Sequence, residues 1–137
     1  SKCIELIQQP VGEFSGKVIS CADNGAASTF KIDLEEDLNG PIIEAETVSI
    51  DDWVENRNPE KVDFIKMDIE GAELDALYGA QETLKRFRPR LGIALYHHPE
   101  DIYQIPKFIK SLDLGYQFYL KHPTAAGFET VLLAICD

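Results

Sequence analysis

Asp68, Glu70 and His97 are the residues whose types and spacing most suggest chemistry. Asp68 and Glu70 come just after an apolar run at 62–67, and His97 follows a second, mostly apolar run at 90–96. A carboxylate or an imidazole within ~3 Å of a hydroxyl can take up its proton, and histidine titrates near neutral pH. The residue types therefore indicate His97 as a candidate general base with two acidic neighbours.

The same residues have plainer explanations, which the sequence leaves open. Glu70 could cap the helix that follows it, and His97 could hydrogen-bond the turn before Pro99. We expect His98 to face away, because successive side chains of a strand alternate between its two faces. Glu73 lies one helical turn further along than Glu70, and we expect it to be exposed to solvent.

A divalent metal is a further alternative for this group of residues. Asp68, Glu70 and His97 together could hold one, because carboxylate oxygens and imidazole nitrogens are both metal ligands. Three ligands on the ends of two strands are nevertheless an unspecific pattern. We therefore predict no metal at this site.

The segments around these residues have the pattern of a parallel-sheet unit. The run at 62–67 predicts a strand, and Gly71 suits the sharp turn that follows it. One continuous helix of ~17 residues is then predicted by apolar residues at spacings of three and four, namely Leu74, Leu77, Ala80, Leu84 and Phe87. The run at 90–96 predicts a second strand. A strand, a helix and a strand form a right-handed crossover with parallel strands, so Asp68 and His97 should meet at one edge of the sheet.

The N-terminal third of the chain predicts short strands with little helix. Strands are indicated at 3–7, 17–20 and, less clearly, 30–32. A further strand runs from residue 42 towards a helix start at Ser49, where Asp52 follows three residues later. We expect that helix to end near Asn56–Pro59, before the central unit begins.

The C-terminal third predicts a helix and a hairpin. The helix covers 101–112, and its apolar face is formed by Ile102, Ile105, Ile109 and Leu112. A break is expected at Pro106, because proline cannot donate a helical hydrogen bond. The strands at 116–121 and 129–136 are joined by a loop too short for a parallel crossover, so they should pair antiparallel. The predicted fold class is α/β, with a parallel core that ends in an antiparallel hairpin.

Size and composition restrict the classes of partner. A chain of 137 residues is one domain. Its net charge of −11 argues against a nucleic acid or an anionic membrane surface as the main partner. No apolar run reaches the ~18 residues of a transmembrane helix. The three cysteines are far apart and show no CxxC pair, which is typical of reduced thiols, so we expect a cytoplasmic protein.

The central part of this sequence resembles a known protein family. The segment 64–73 (FIKMDIEGAE) looks like the signature strand of the FkbM-like S-adenosylmethionine-dependent methyltransferases. The similarity continues through 77–80, through the strand after Pro89 and through 96–101 (YHHPED). Upstream, 47–52 (TVSIDD) is similar to the family segment that precedes the signature strand.

The resemblance implies both a fold and an activity. It implies a Rossmann-like methyltransferase sheet, S-adenosylmethionine as the cofactor, and O-methyl transfer to a hydroxyl of a small metabolite or carbohydrate. Carried over by position, Gln9 and Val11 would bind the cofactor near its adenine. Asp68, at the end of its strand, could contact the amino end of the cofactor or the substrate, and His97 and Glu70 are the catalytic candidates.

One part of the family pattern is missing from this sequence. The nine glycines form no GxGxxG-like cluster, although the family's cofactor site opens with a glycine-rich loop. The resemblance thus implies a single, N-terminally truncated methyltransferase domain over 1–137, which we expect to be inactive alone. The alternative is a non-catalytic Rossmann-like remnant that self-associates. In either case an uncovered sheet edge favours a homodimer, or a rearranged N-terminal region that covers the edge.

Overall fold

The computed structural model describes residues 4–22, 42–122 and 129–136. Predictions for 23–41 and for the hairpin loop at 123–128 lie outside these ranges. The elements follow in the order β1 (Val18–Ala22), β2 (Ile42–Glu46), α1 (Ile50–Arg57), β3 (Phe64–Met67), α2 (Glu73–Tyr78), α3 (Gln81–Phe87), β4 (Arg90–Ala94), α4 (Asp101–Ser111), β5 (Gln117–Lys121) and β6 (Val131–Ile135).

The main sheet has four strands in the order β3-β4-β6-β5. Strands β3 and β4 are parallel neighbours, with Met67 opposite Ile93. Strands β5 and β6 pair antiparallel, and β6 also pairs antiparallel with β4. The α/β class, the parallel pair and the closing antiparallel hairpin are therefore confirmed. Separately, β1 and β2 form a two-stranded antiparallel sheet.

The hydrophobic core lies between this sheet and the helices α2, α3 and α4. Strand β4 is at its centre, since every residue from 91 to 94 is buried. A fully buried leucine or isoleucine contributes roughly 1.5–3 kcal/mol, and the largest such side chains are Leu77, Leu84, Leu91, Ile93, Ile105, Ile109 and Leu132. Among the described helices, none is long and apolar enough to cross a bilayer.

The predicted helix start at Ser49 is confirmed. The Ser49 hydroxyl accepts the backbone N–H of Asp52 at 3.1 Å, which makes it the N-cap of α1. The start of the chain differs from the prediction. Residues 4–7 form no strand, and Ile4 and Leu6 are 86% and 80% exposed. These residues pair with no strand of the described part of the chain.

The single helix predicted after Gly71 is wrong, because α2 ends at Tyr78 and α3 begins at Gln81. At the break the backbone of residues 12–13 packs directly against Gly79. A Cβ on Gly79 would lie 2.4 Å from the Gly12 carbonyl oxygen and 2.9 Å from that of Glu13. Only glycine fits at position 79. A continuous helix with a side chain at that position would collide with the backbone of residues 12–13.

Asp51 of α1 holds the two halves of this broken helix in place. Its backbone N–H donates to the Gly79 carbonyl at 2.8 Å. Its carboxylate accepts the backbone N–H groups of Glu82 at 2.9 Å and Thr83 at 2.7 Å, in the first turn of α3. Asp51 therefore takes the place of an N-cap for α3, although it lies about thirty residues upstream of it.

The break predicted at Pro106 is also wrong, because α4 continues past it. Pro106 removes the hydrogen bond that the Ile102 carbonyl would accept. Ile102 is 52% exposed, so solvent can replace that partner and the helix need not break. The exposure of Ile102 also corrects its assignment to the apolar face, whereas Ile105 and Ile109 are buried as predicted.

Gly79→Ala tests why the helix breaks. Alanine normally stabilises a helix by ~0.5–1 kcal/mol over glycine, so a break caused by glycine alone would be repaired. We expect the opposite sign, a loss of about 1–3 kcal/mol in the free energy of unfolding, because the methyl group would collide with backbone. Urea denaturation measures the change.

Gly12→Ala is the matched control, since it adds a methyl group to the opposing segment. The nearest atom to that methyl group would be Thr47 Cγ2 at 3.7 Å, an ordinary contact distance. We expect a change within ~0.5 kcal/mol. A Gly79→Ala protein more stable than the wild type would contradict the packing explanation.

Candidate functional site

The parallel pairing of β3 and β4 brings the residues that follow them to one edge of the sheet. Asp68 follows β3 directly, while Tyr96 and His97 follow shortly after β4. The Tyr96 hydroxyl donates to Asp68 Oδ1 at 2.6 Å, and His97 Nε2 lies 3.8 Å from the same oxygen. The predicted meeting of Asp68 and His97 is therefore confirmed.

The turn after β3 has an unusual backbone. Glu70 has φ = 57° and Gly71 has φ = 99°, so both lie in the left-handed region. This conformation turns the backbone N–H groups of Ile69 and Gly71 towards the start of α2. Glu73 Oε1 accepts the N–H of Ile69 at 2.8 Å, and Oε2 accepts that of Gly71 at 2.9 Å.

The cap considered for Glu70 is thus formed by Glu73. Glu73, expected to be in solvent, is completely buried and closes the turn. Glu70, considered as a cap, has a side chain 45% exposed, with Oε2 3.5 Å from His97 Nε2. The structure therefore brings Glu70 and His97 together at the edge of the sheet. Their catalytic roles stay predictions.

His97 is held between these acidic side chains. Its side chain is only 10% exposed, and Nδ1 lies 2.9 Å from Glu73 Oε1. Nδ1 is fully shielded from water, yet the carboxylate oxygen lies off the direction in which an N–H would point, so the contact is close without being an aligned hydrogen bond. The other ring nitrogen, Nε2, faces Asp68 and Glu70.

Asp68 is held in its ionised form by its neighbours. The Tyr96 hydroxyl is the main cause that lowers the pKa of Asp68, and the Lys66 ammonium, 3.2 Å from Oδ2, lowers it further. The same hydrogen bond and burial raise the pKa of Tyr96 to about 12. Asp68 remains 39% exposed, so it presents a carboxylate to any molecule at this edge.

His98 does not turn away from the site as expected. Its ring packs over Gly71, where a Cβ would lie 2.4 Å from His98 Nε2. The His98 backbone N–H donates to the Asp101 carboxylate at 3.2 Å. Burial raises the pKa of Asp101, which is only 4% exposed. The segment after His97 is thereby fixed against the turn after β3.

Gln9 and Val11 line a cleft that reaches this turn. The segment containing them is tied to residue 48, since Val48 N–H donates to the Pro10 carbonyl at 2.9 Å. One cavity beside Gln9 and Val11 also touches Ile69 and Ala72 of the turn. A second extends from the same two residues towards Ile50 and Trp53. Gln9 and Val11 therefore lie beside the turn that begins at Asp68, and their binding of a cofactor stays a prediction.

Sequence reasoning missed three residues of this site, Glu73, Tyr96 and Lys66. Tyr96 could have been found, because it immediately precedes His97 at the end of the same strand. Lys66 lies two residues before Asp68, a spacing that puts the two side chains on the same side of the chain. The burial of Glu73 gave no local signal, since it depends on the left-handed turn before it.

A cation is chemically compatible with the site. Asp68, Glu73 and His97 offer ligand atoms that lie within 4.8 Å of one another. Both oxygens of Asp68 and both of Glu73 nevertheless accept hydrogen bonds already. The assignment of no metal stays a prediction.

Comparison with known proteins finds related sequences. Residues 1–118 match the family model described as the methyltransferase FkbM domain. The 2-O-methyltransferase NoeI of Sinorhizobium fredii (strain NBRC 101917 / NGR234) is 44% identical over 51 residues, which are 37% of this chain and 21% of NoeI.

A solved structure is also similar. The crystal structure of methyltransferase FkbM from Methylobacillus flagellatus KT superposes with a TM-score of 0.59 and 35% sequence identity. The match covers 66% of this chain and 23% of that one. The chain therefore spans less than a quarter of either relative. Because the family model covers most of the sequence, this chain belongs to the FkbM methyltransferase family.

Proposed function

We propose that this chain carries the catalytic edge of an S-adenosylmethionine-dependent O-methyltransferase whose acceptor is a hydroxyl of a small metabolite or carbohydrate. The observation that carries the proposal is His97 Nε2, which faces two carboxylates beside a cleft lined by Gln9 and Val11. Membership of the family supports methyl transfer. The name of NoeI, a 2-O-methyltransferase, supports oxygen as the accepting atom.

The residues at the cleft fit the cofactor in chemical type. Val11 and Ile69 offer apolar contact for a nucleoside, and Gln9 adds an amide for hydrogen bonds. Asp68 is the group suited to the cofactor's ammonium, since it stays ionised and partly exposed. When bound, S-adenosylmethionine supplies a methyl group on a sulfonium, which becomes a thioether as the methyl passes to the acceptor oxygen.

The chain's own task is to take the proton that the acceptor hydroxyl loses. His97 Nε2 is suited to this, because no hydrogen bond among the described residues occupies it. Glu70 and Asp68 would stabilise the positive charge that His97 gains, at 3.5 and 3.8 Å. General-base catalysis of this kind contributes typically ~10²–10⁴-fold.

Several further features belong to the same proposal. We place this chain in a Rossmann-like methyltransferase sheet, and we expect no activity from the 137 residues alone because they contain no glycine-rich cofactor loop. We also expect a cytoplasmic location, as the cysteine usage indicates. A small hydroxylated acceptor is compatible with the net charge of −11, because such an acceptor needs no cationic surface.

Self-association is the second candidate function, and one observation favours it. Strand β3 is an edge of the described sheet, and Phe64 on it is 54% exposed. Edge strands with exposed apolar side chains are surfaces that a second chain can pair with. We therefore propose a homodimer through β3, with or without catalysis.

Cofactor binding can be tested by calorimetric titration with S-adenosylhomocysteine. In the longest gene product that contains this chain, we expect measurable heat with the wild type and at least about tenfold weaker binding with Asp68→Asn, because the ammonium loses an ionised partner. Asp63→Asn is the matched control, since Asp63 lies just before β3 and is 71% exposed. No heat at high protein concentration would favour the non-catalytic alternative.

Proton transfer can be tested with His97→Asn. We expect S-adenosylhomocysteine binding within about twofold of the wild type and a loss of at least ~100-fold in transfer of labelled methyl to a panel of hydroxylated acceptors. The assay uses the longest gene product that contains this chain. His122→Asn, an exposed histidine bonded to Thr130, should have no effect. Equal activity of His97→Asn and the wild type would contradict the assignment.

Tyr96→Phe tests the Tyr96–Asp68 hydrogen bond through its pH dependence. The lowered pKa of Asp68 stabilises the folded state above the ordinary value of ~3.9, and this contribution is lost as the pH falls through the lowered value. Removing the hydroxyl should raise the Asp68 pKa towards the ordinary value. The stability of the variant should then fall less than that of the wild type on acidification below that pH.

Carboxyl ¹³C titration by NMR measures the Asp68 pKa directly, and chemical denaturation at several pH values measures the stability. Tyr103→Phe is the control, because Tyr103 is 59% exposed on α4. An unchanged Asp68 titration in Tyr96→Phe would show that the hydrogen bond is not formed in solution.

Light scattering over a range of concentrations tests the homodimer. We expect twice the mass of one chain for the wild type and a monomer for Phe64→Lys, because a charge on the edge strand opposes pairing. Tyr119→Lys is the control, since Tyr119 is 50% exposed on β5, the opposite edge of the sheet. A wild-type monomer at every concentration rules out the dimer.

A further inference from the structure

Glu73 is a buried carboxylate that connects two parts of the site. Its side chain is 0% exposed, and its two oxygens accept the backbone N–H groups of Ile69 and Gly71. The same Oε1 atom lies 2.9 Å from His97 Nδ1. One side chain of α2 thus contacts both the turn after β3 and the histidine after β4.

The contact between Glu73 Oε1 and His97 Nδ1 affects which nitrogen of a neutral His97 is protonated. A neutral imidazole has one protonated and one unprotonated nitrogen, and the partner of one nitrogen fixes the state of the other. The carboxylates near Nε2 are 3.5 and 3.8 Å away and partly exposed, so solvent screens them. An unprotonated Nδ1 would instead hold its lone pair beside a carboxylate oxygen only 2.9 Å away, in a place that water does not reach. That repulsion would be large at low dielectric, whereas a proton on Nδ1 turns it into attraction.

We propose that Glu73 is a positioning residue that keeps the proton on Nδ1 of His97, so that the Nε2 lone pair is the one available to an acceptor hydroxyl. The proposal rests on the function proposed above for His97, and it adds the group that prepares His97 for that function. When Nε2 takes up a proton, the charged ring lies against Glu73 on one side and Glu70 and Asp68 on the other. Glu73 would therefore also stabilise the protonated form.

The tautomer can be measured without any catalytic assay. Long-range ¹H–¹⁵N correlation spectra of the wild-type chain in alkaline buffer, where imidazoles are neutral, distinguish a proton on Nδ1 from one on Nε2. The chain has three histidines, and the His97→Asn spectrum identifies the signals of His97. We expect Nδ1 protonated and Nε2 unprotonated. A proton on Nε2 of His97 in the wild type overturns the proposal.

Two substitutions separate positioning from folding. Glu73→Ala removes the partner of Nδ1, so we expect the preference for the Nδ1 proton to be lost; an unchanged tautomer in the folded variant overturns the proposal. Glu73→Ala also leaves two backbone N–H groups unpaired and could unfold the chain. In Glu73→Gln the amide oxygen can still accept from Ile69 and lie beside His97 Nδ1, and only the Gly71 N–H loses its acceptor, so we expect a folded chain with the Nδ1 tautomer retained. A Glu73→Gln chain that folds with its proton on Nε2 overturns the proposal as well.

The loss of the charge in Glu73→Gln gives a kinetic readout. In a gene product that transfers methyl groups, we expect kcat to fall roughly tenfold or more while S-adenosylhomocysteine binding stays within about twofold. Glu82→Gln is the matched control, because Glu82 is 75% exposed and pairs with Lys85 on the surface. The two proposals can fail separately. If the wild type carries the proton on Nδ1 but binds no S-adenosylhomocysteine, the proposed function is overturned while the positioning of the His97 proton by Glu73 stands.

Discussion

The burial of the Glu73 carboxylate is the constraint on which the rest of the site depends. Burying a carboxylate away from solvent costs free energy unless hydrogen bonds replace those to water. Each hydrogen bond to a charged group contributes ~1.5–3 kcal/mol to stability. Here the compensation comes from the backbone of the turn that carries Asp68 and Glu70. The turn, the start of α2 and the ring of His97 are consequently fixed by one group. A shift of the turn or of α2 would break the hydrogen bonds of that carboxylate, and a shift of the ring would remove its contact with Nδ1.

A second constraint fixes the cleft beside this edge. The backbone at residues 12–13 packs against Gly79, and Asp51 joins α1 to the start of α3. Val11 and Gln9 immediately precede the packed segment, so their place beside the turn follows from contacts made on α2 and α3. The arrangement explains why short pieces far apart in sequence meet at one site. It also explains why the helix between β3 and β4 is broken, since an unbroken one would leave no room for residues 12–13.

The sequence could predict features that depend on neighbouring residues, and it missed those that depend on distant ones. The parallel strands β3 and β4, the meeting of Asp68 with His97 and the antiparallel hairpin follow from local patterns of apolar residues and turns. The break at Gly79 depends on residues 12–13 and on Asp51, which no local pattern reveals. The burial of Glu73 depends on the left-handed backbone at Glu70, where most residue types are disfavoured. The break predicted at Pro106 is wrong because the cost of a proline inside a helix depends on whether solvent reaches the carbonyl left unpaired, here that of Ile102.

At position 70 the residue that would be best for stability differs from the residue that the proposed chemistry needs, because the backbone of Glu70 is left-handed. A side chain in that conformation costs about 1–2 kcal/mol that glycine would not incur. Glycine there would relax the turn and remove the carboxylate that faces His97 Nε2. Selection of this domain for thermal stability alone would therefore favour glycine at position 70, and that substitution would remove a carboxylate from the site. Persistence of an acidic residue at that position is what a domain under selection for its chemistry would display.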